Sequence, residues 1–179
     1  MRLTNLLAAA GAAILLPGCA PDAPDAEEIR AQGAKLTKQE PGLYRSTTSL
    51  LAYAIPNATP QEAAAARERM ETTQPETTEI CLTAEEAERG FDPLIESLQD
   101  GECAASRFVA NDSELSAQFS CKGTGGVVSE MGLSGTSAKD RAHLVVEVEQ
   151  RGDAVPGGLA QMTIDISMER VGECTTGQG

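Results

Sequence analysis

From Cys103 onward the large apolar residues recur at every second position, and this alternation constrains the fold more than any other feature of the chain. Leu115, Ala117, Phe119 and Cys121 alternate with Ser116, Gln118, Ser120 and Lys122. Leu144, Val146 and Val148 alternate with Val145, Glu147 and Glu149, and Met162, Ile164, Ile166 and Met168 with Thr163, Asp165, Ser167 and Glu169. Successive side chains of a strand point to opposite faces, so each run has one face for a core and one for water. Between the runs lie turn formers: Asn111-Asp112, Gly123-Thr124-Gly125-Gly126, Gly135 through Asp140, and Arg151 through Gly158. Links this short join neighbouring antiparallel strands.

Upstream the period lengthens. Pro41-Gly42 punctuates the chain before Leu43 to Tyr53, whose threonines and aromatic residues favour a strand. Thr59-Pro60-Gln61-Glu62 has the form of a capped helix start, and the alanine-rich run to Met70 reads as a helical excursion on the surface. A second capping box, Thr83-Ala84-Glu85-Glu86, precedes Ala87, Phe91, Leu94, Ile95 and Leu98 at helical spacing, with Gly90 and Pro93 dividing the run. The expected fold is α+β: a curved antiparallel meander of about six strands, disulfide-braced, with one or two short helices packed on it. Two tyrosines and three phenylalanines are the only aromatic residues, so the core relies on Leu, Val, Ile and Met.

The first residues read as targeting. Arg2 supplies a positive n-region and Leu3 to Leu16 an apolar stretch, closed by Leu16-Pro17-Gly18-Cys19, which resembles the bacterial lipobox. This implies a signal peptide over 1–18 and a lipid, palmitate among its acyl chains, on Cys19. Residues 19–40, rich in Ala, Pro, Asp and Glu, are expected to form a flexible tether with a transient helix around Ala26 to Leu36, residues 41–174 a single domain and 175–179 a tail. Setting Cys19 aside leaves Cys81, Cys103, Cys121 and Cys174, an even number that suits two disulfides in an oxidising compartment. Three pairings are open. A bridge closing a loop such as Cys81 to Cys103 or Cys121 to Cys174 stabilises by roughly 3 to 4 kcal/mol on the chain-entropy model.

Pro41-Gly42-Leu43-Tyr44-Arg45, Cys81-Leu82-Thr83 before an acidic helix, the later Cys103 and Cys121, and Arg170-Val171-Gly172-Glu173-Cys174 together resemble domain-of-unknown-function family 3617, small exported bacterial proteins. The resemblance covers roughly residues 41–174 and implies a disulfide-bonded exported domain without an assigned activity. Members of that family commonly carry Trp where this chain has Tyr44.

The chemistry points away from catalysis. None of the cysteines forms a CxxC, and the single histidine, His143, stands at ligand spacing from none of them, so neither a metal nor a cofactor is expected. By parity His143 faces solvent, opposite Leu144, Val146 and Val148. Gly132-Leu133-Ser134-Gly135 lacks the spacing of a nucleophile elbow and reads as turn glycine. Glu85, Glu86 and Glu88 fit a helix start. A net charge of −13 opposes nucleic-acid binding and electrostatic docking on anionic lipid. The expectation is a non-enzymatic binding or interaction module of a Gram-negative cell envelope, lipid-anchored on the periplasmic side of the inner or outer membrane. Its partner would be an envelope protein or a small apolar ligand; the alternatives are an inhibitor of a basic hydrolase such as lysozyme, or a lipid carrier.

Overall fold

A computed structural model describes residues 23–174; the expected signal segment 1–18, the lipid site Cys19 and the tail 175–179 lie outside the described residues. The alternating runs form the predicted meander. Strands β3 (Cys103–Ala110), β4 (Glu114–Lys122), β5 (Val128–Ser137), β6 (Arg141–Arg151) and β7 (Leu159–Gly172) pair in succession. β7 then pairs with β1 (Gly42–Ala54), and β1 with β2 (Glu76–Leu82), giving the antiparallel order β2-β1-β7-β6-β5-β4-β3. The fold class read from the alternation is the one observed, with seven strands in place of about six.

Residues directly opposite one another share a face, so the register sorts the side chains. Phe119, Met131, Val148, Met162 and Tyr53 make one row across five strands, and Ala117, Leu133, Val146, Ile164 and Leu50 the next. Gln118, Gly132, Glu147 and Thr163 make a row on the other face. One face is therefore apolar and one polar.

Four helices accompany the sheet: α1 (Ala26–Gly33), α2 (Pro60–Thr72), α3 (Ala84–Arg89) and α4 (Asp92–Asp100). The predicted capping boxes are present at both Thr59 and Thr83, and Gly90 ends α3 at φ +55°, a conformation that suits glycine. β2 and β3 are opposite edges of the sheet, so α3 and α4 carry the chain across its whole width, about 29 Å at 4.8 Å per strand. They start beside Gly42 and end at Cys103, which lies at the other end of the strands, and thus cross the apolar face diagonally. Ile95 of α4, 2 % exposed, packs with Phe108, Leu115, Phe119 and Ile29 in the core. α2 lies against β1 with Ala66 buried and its polar side in solvent, the surface excursion expected.

Cys81 is bonded to Cys174 and Cys103 to Cys121. The loops closed are thus neither of the two considered from the sequence. Cys103 and Cys121 are opposite residues of β3 and β4, with Cα atoms 4.0 Å apart.

Three expectations are corrected. The 19–40 segment is not a tether throughout: the helix expected there as transient is α1, and it is packed, with Ile29 and Leu36 buried in the core. Asp25 caps α1 with a full capping box, and Ile29, Gly33 and Leu36 fall at helical spacing toward α4 and β3. Gly132 and Gly135 are not in a turn, because β5 continues to Ser137. Gly135 is needed there by close approach, since a Cβ would lie 2.2 Å from the carbonyl oxygen of His143. β2 was not anticipated, because Glu76-Thr77-Thr78-Glu79-Ile80 has no buried side and is held through its backbone and the Cys81 bridge.

Candidate functional site

The polar face bears a broad depression of about 550 Å³ lined by Gln118, Glu130, Glu147, Glu149, Gln161 and Thr163. Its carboxylates are mostly engaged. Glu130 accepts from the Ser120 hydroxyl at 2.8 Å, and Glu149 accepts from Gln161 Nε2 at 2.7 Å and from Arg151. The Gln161 hydrogen bond, then that of Arg151, holds the Glu149 carboxyl below the usual glutamate range.

His143 is exposed, as parity predicted, and its Nε2 lies 2.5 Å from Asp165 Oδ2. Thr136 and Ser167 are its cross-strand neighbours, yet among the described residues no hydroxyl is hydrogen-bonded to the imidazole. The nucleophile and base pairing of a serine hydrolase is therefore not assembled. Among the described residues no three His, Cys, Asp or Glu side chains converge as metal ligands, and no helix is long and apolar enough to cross a membrane.

The apolar face is unevenly covered. On β4, Leu115, Ala117 and Phe119 are buried beneath α1 and α4. On β6 and β7 the corresponding residues, Leu144, Val146, Val148, Met162, Ile164 and Ile166, are only half-buried. Where α4 passes over the sheet it leaves a partly covered cavity of about 130 Å³, walled by Leu36, Phe91 and Leu94 above and Leu144, Ile166 and Met168 below. Met162 and Met168 were expected on this face, and both are there.

One end of the cavity is closed by residues 37–40, a strap laid across the strand ends. Thr37 donates from its backbone and its hydroxyl to Asp112 O, at 2.8 and 2.6 Å. Ser137 Oγ donates to Thr37 O, and Glu40 N to Lys139 O, each at 2.8 Å. Tyr44, fully buried, completes the clamp: its single hydroxyl hydrogen is shared between Glu40 O at 2.8 Å and Lys139 O at 3.0 Å. Burial raises the Tyr44 pKa, so the phenol stays a donor. Gln39, between these anchors, lines the cavity.

Leu36 and Gln39 were missed as site residues because they fall in the stretch read as a tether. The spacing of Ile29, Gly33 and Leu36, together with Asp25 and Glu28 as a capping box, was the available signal.

These features define a small disulfide-braced α+β domain: an open antiparallel sheet with one partly roofed apolar face and no assembled catalytic group among the described residues. The chain belongs to the family described as protein of unknown function (DUF3617), whose sequence profile matches residues 39–174. No curated protein and no solved structure matches it.

Proposed function

We propose that the protein is a non-catalytic binding module of the bacterial cell envelope, held by lipid on Cys19, that takes an elongated apolar molecule on the helix-bearing face of its sheet. The half-covered row of aliphatic residues on β6 and β7, continuous with the cavity under Phe91 and Leu94, carries this reading. A folded domain gains by burying such residues, and one that leaves a contiguous apolar strip open offers it to a ligand.

The test is titration of the purified domain with an environment-sensitive apolar dye, followed by displacement with phospholipid extract. Saturable binding that is lost in Val148→Asp and Ile164→Asp supports the reading; absence of saturable binding removes it. The anchor is tested separately, by metabolic labelling with an alkyne-bearing fatty acid. Equal labelling of the natural chain and Cys19→Ala would reject it.

The acidic polar face favours a second reading, contact with a basic protein, inhibition of a lysozyme being one form. Glu147 is exposed and has no ion-pair partner among the described residues, while Glu130 stands opposite Glu149. No inhibition of lysozymes of several classes at micromolar concentration would discard the inhibitor form.

A further inference from the structure

We propose that β2 is a docking edge, on which an extended basic segment of a partner protein adds to the seven-stranded sheet as one strand more. This surface serves neither reading above. β2 ends the sheet order, and among the described residues no backbone hydrogen bond is made to the outer side of Glu76 to Ile80. An exposed row of backbone donors and acceptors is a template for another strand. The opposite edge is blocked: on β3 the Ala110 amide donates to Gln32 Oε1 at 3.5 Å, the strand is bulged between Ala105 and Arg107, and α1 and α4 pack beside it. β2 has none of these covers, and its first five residues are exposed. It gives no buried side chain to the core, yet the bridge from Cys81 to Cys174 holds its end in place, so a partner meets a strand already ordered.

The side chains set what the incoming strand carries. Glu76, Thr78 and Ile80 share one face of β2, and Thr77 and Glu79 the other. Glu79 is engaged by Arg45 of β1 at 3.4 Å. Glu76 is exposed and has no ion-pair partner among the described residues, and Ile80, 45 % exposed, is a large apolar side chain in water. Residues opposite one another on neighbouring strands share a face, so the partner that satisfies both places a lysine or arginine against Glu76 and an apolar residue against Ile80, four positions apart. The surroundings agree, since between Met70 and Gly90 the chain carries six glutamates and one arginine. A second copy is a poorer occupant. Pairing β2 with itself about Thr78 sets Glu76 against Ile80, leaves Glu76 without a cation and joins two chains of net charge −13. The charge that keeps like chains off this edge is the one a basic segment neutralises.

The probes are short peptides of one composition, a lysine and a leucine among threonines, with these two either four or three positions apart and in both orders to cover both strand directions. They are titrated by NMR into the natural protein and into Glu76→Lys. In one of the two orders the four-apart peptide should bind about three- to tenfold more tightly than its three-apart counterpart. Amide exchange should slow at Glu76 to Ile80 and not along β3. Methylating the peptide nitrogens should abolish binding, because it removes the donors that pair with the edge and leaves the charge. Glu76→Lys should reverse the preference, toward the peptide with glutamate in place of lysine, and that reversal also reports that the variant is folded. Equal binding of the two spacings, binding that survives methylation, protection on β3 instead, or no binding by any peptide overturns the proposal. Dimers of the natural protein with the β2 amides protected, peptide absent, assign the edge to a second copy and overturn it equally.

Discussion

Cys81 and Cys174 are bonded with their Cα atoms 5.4 Å apart: Leu43 has Cys81 as its partner on one side and Gly172 on the other, and the chain two residues past Gly172 comes beside β2 to make the bridge. It fastens the edge strand β2, whose first five residues are exposed, to the end of β7.

The two bridges should differ in worth. Cys81 and Cys174 are 93 residues apart and Cys103 and Cys121 only 18, so the chain-entropy model assigns them about 4.6 and about 3 kcal/mol. Urea unfolding of the paired Cys→Ser variants should rank them in that order, and equal losses would show that native-state geometry dominates.

Core and trough residues should separate stability from binding. Ile95→Ala removes a side chain that is 2 % exposed and should cost about 2 to 5 kcal/mol. Val148→Ala, half-buried, should cost about 1 kcal/mol and weaken dye binding several-fold. Thermal melts and dye titration on the same samples distinguish the two effects.

Gly135→Ala places a methyl group where the backbone of β6 stands, with the His143 carbonyl oxygen and the Leu144 Cα both in the way. The strands must part, at a cost of about 1 to 3 kcal/mol, and amide exchange should quicken along the β5 and β6 pairing around Gly135 and Leu144.

The capping boxes predict an acid-side dependence. Hydrogen bonds from the Thr83 backbone and hydroxyl lower the Glu86 pKa, and Thr59 lowers that of Glu62 in the same way. A carboxyl whose folded pKa is depressed adds stability that is present above its ordinary value and lost as pH falls through the folded value. Thr83→Val should therefore lower the melting temperature at neutral pH, and its deficit should shrink as pH falls below the ordinary glutamate range. A deficit constant with pH would place the effect outside the Glu86 charge.

The strands of the meander were legible because one side of each meets a core and the other meets water, which writes the period of two directly into Leu115 to Cys121 and Met162 to Met168. The helix starts at Thr59 and Thr83 were legible because capping is local chemistry. β2 left no trace, since an exposed edge strand places no demand on its side chains. The strap was hidden for a different reason: Gln39 acquires meaning from Phe91, Ile166 and Met168, all remote in sequence. Disulfide pairing was hidden likewise, because it follows from the register that brings Cys103 opposite Cys121 and not from spacing.

The position of β1 in the sheet also sets an order of assembly. β3 to β7 are joined by short turns and can zip locally, and one edge of β1 pairs with nearby β2, but the other edge of β1 finds its partner only in β7, at the far end of the chain. Until β7 has emerged, one long edge of β1 has no partner, and the other is paired with β2 only from Gly42 to Thr48. A chain cut before Leu159 therefore leaves one edge of β1 and one edge of β6 without a partner at the same time.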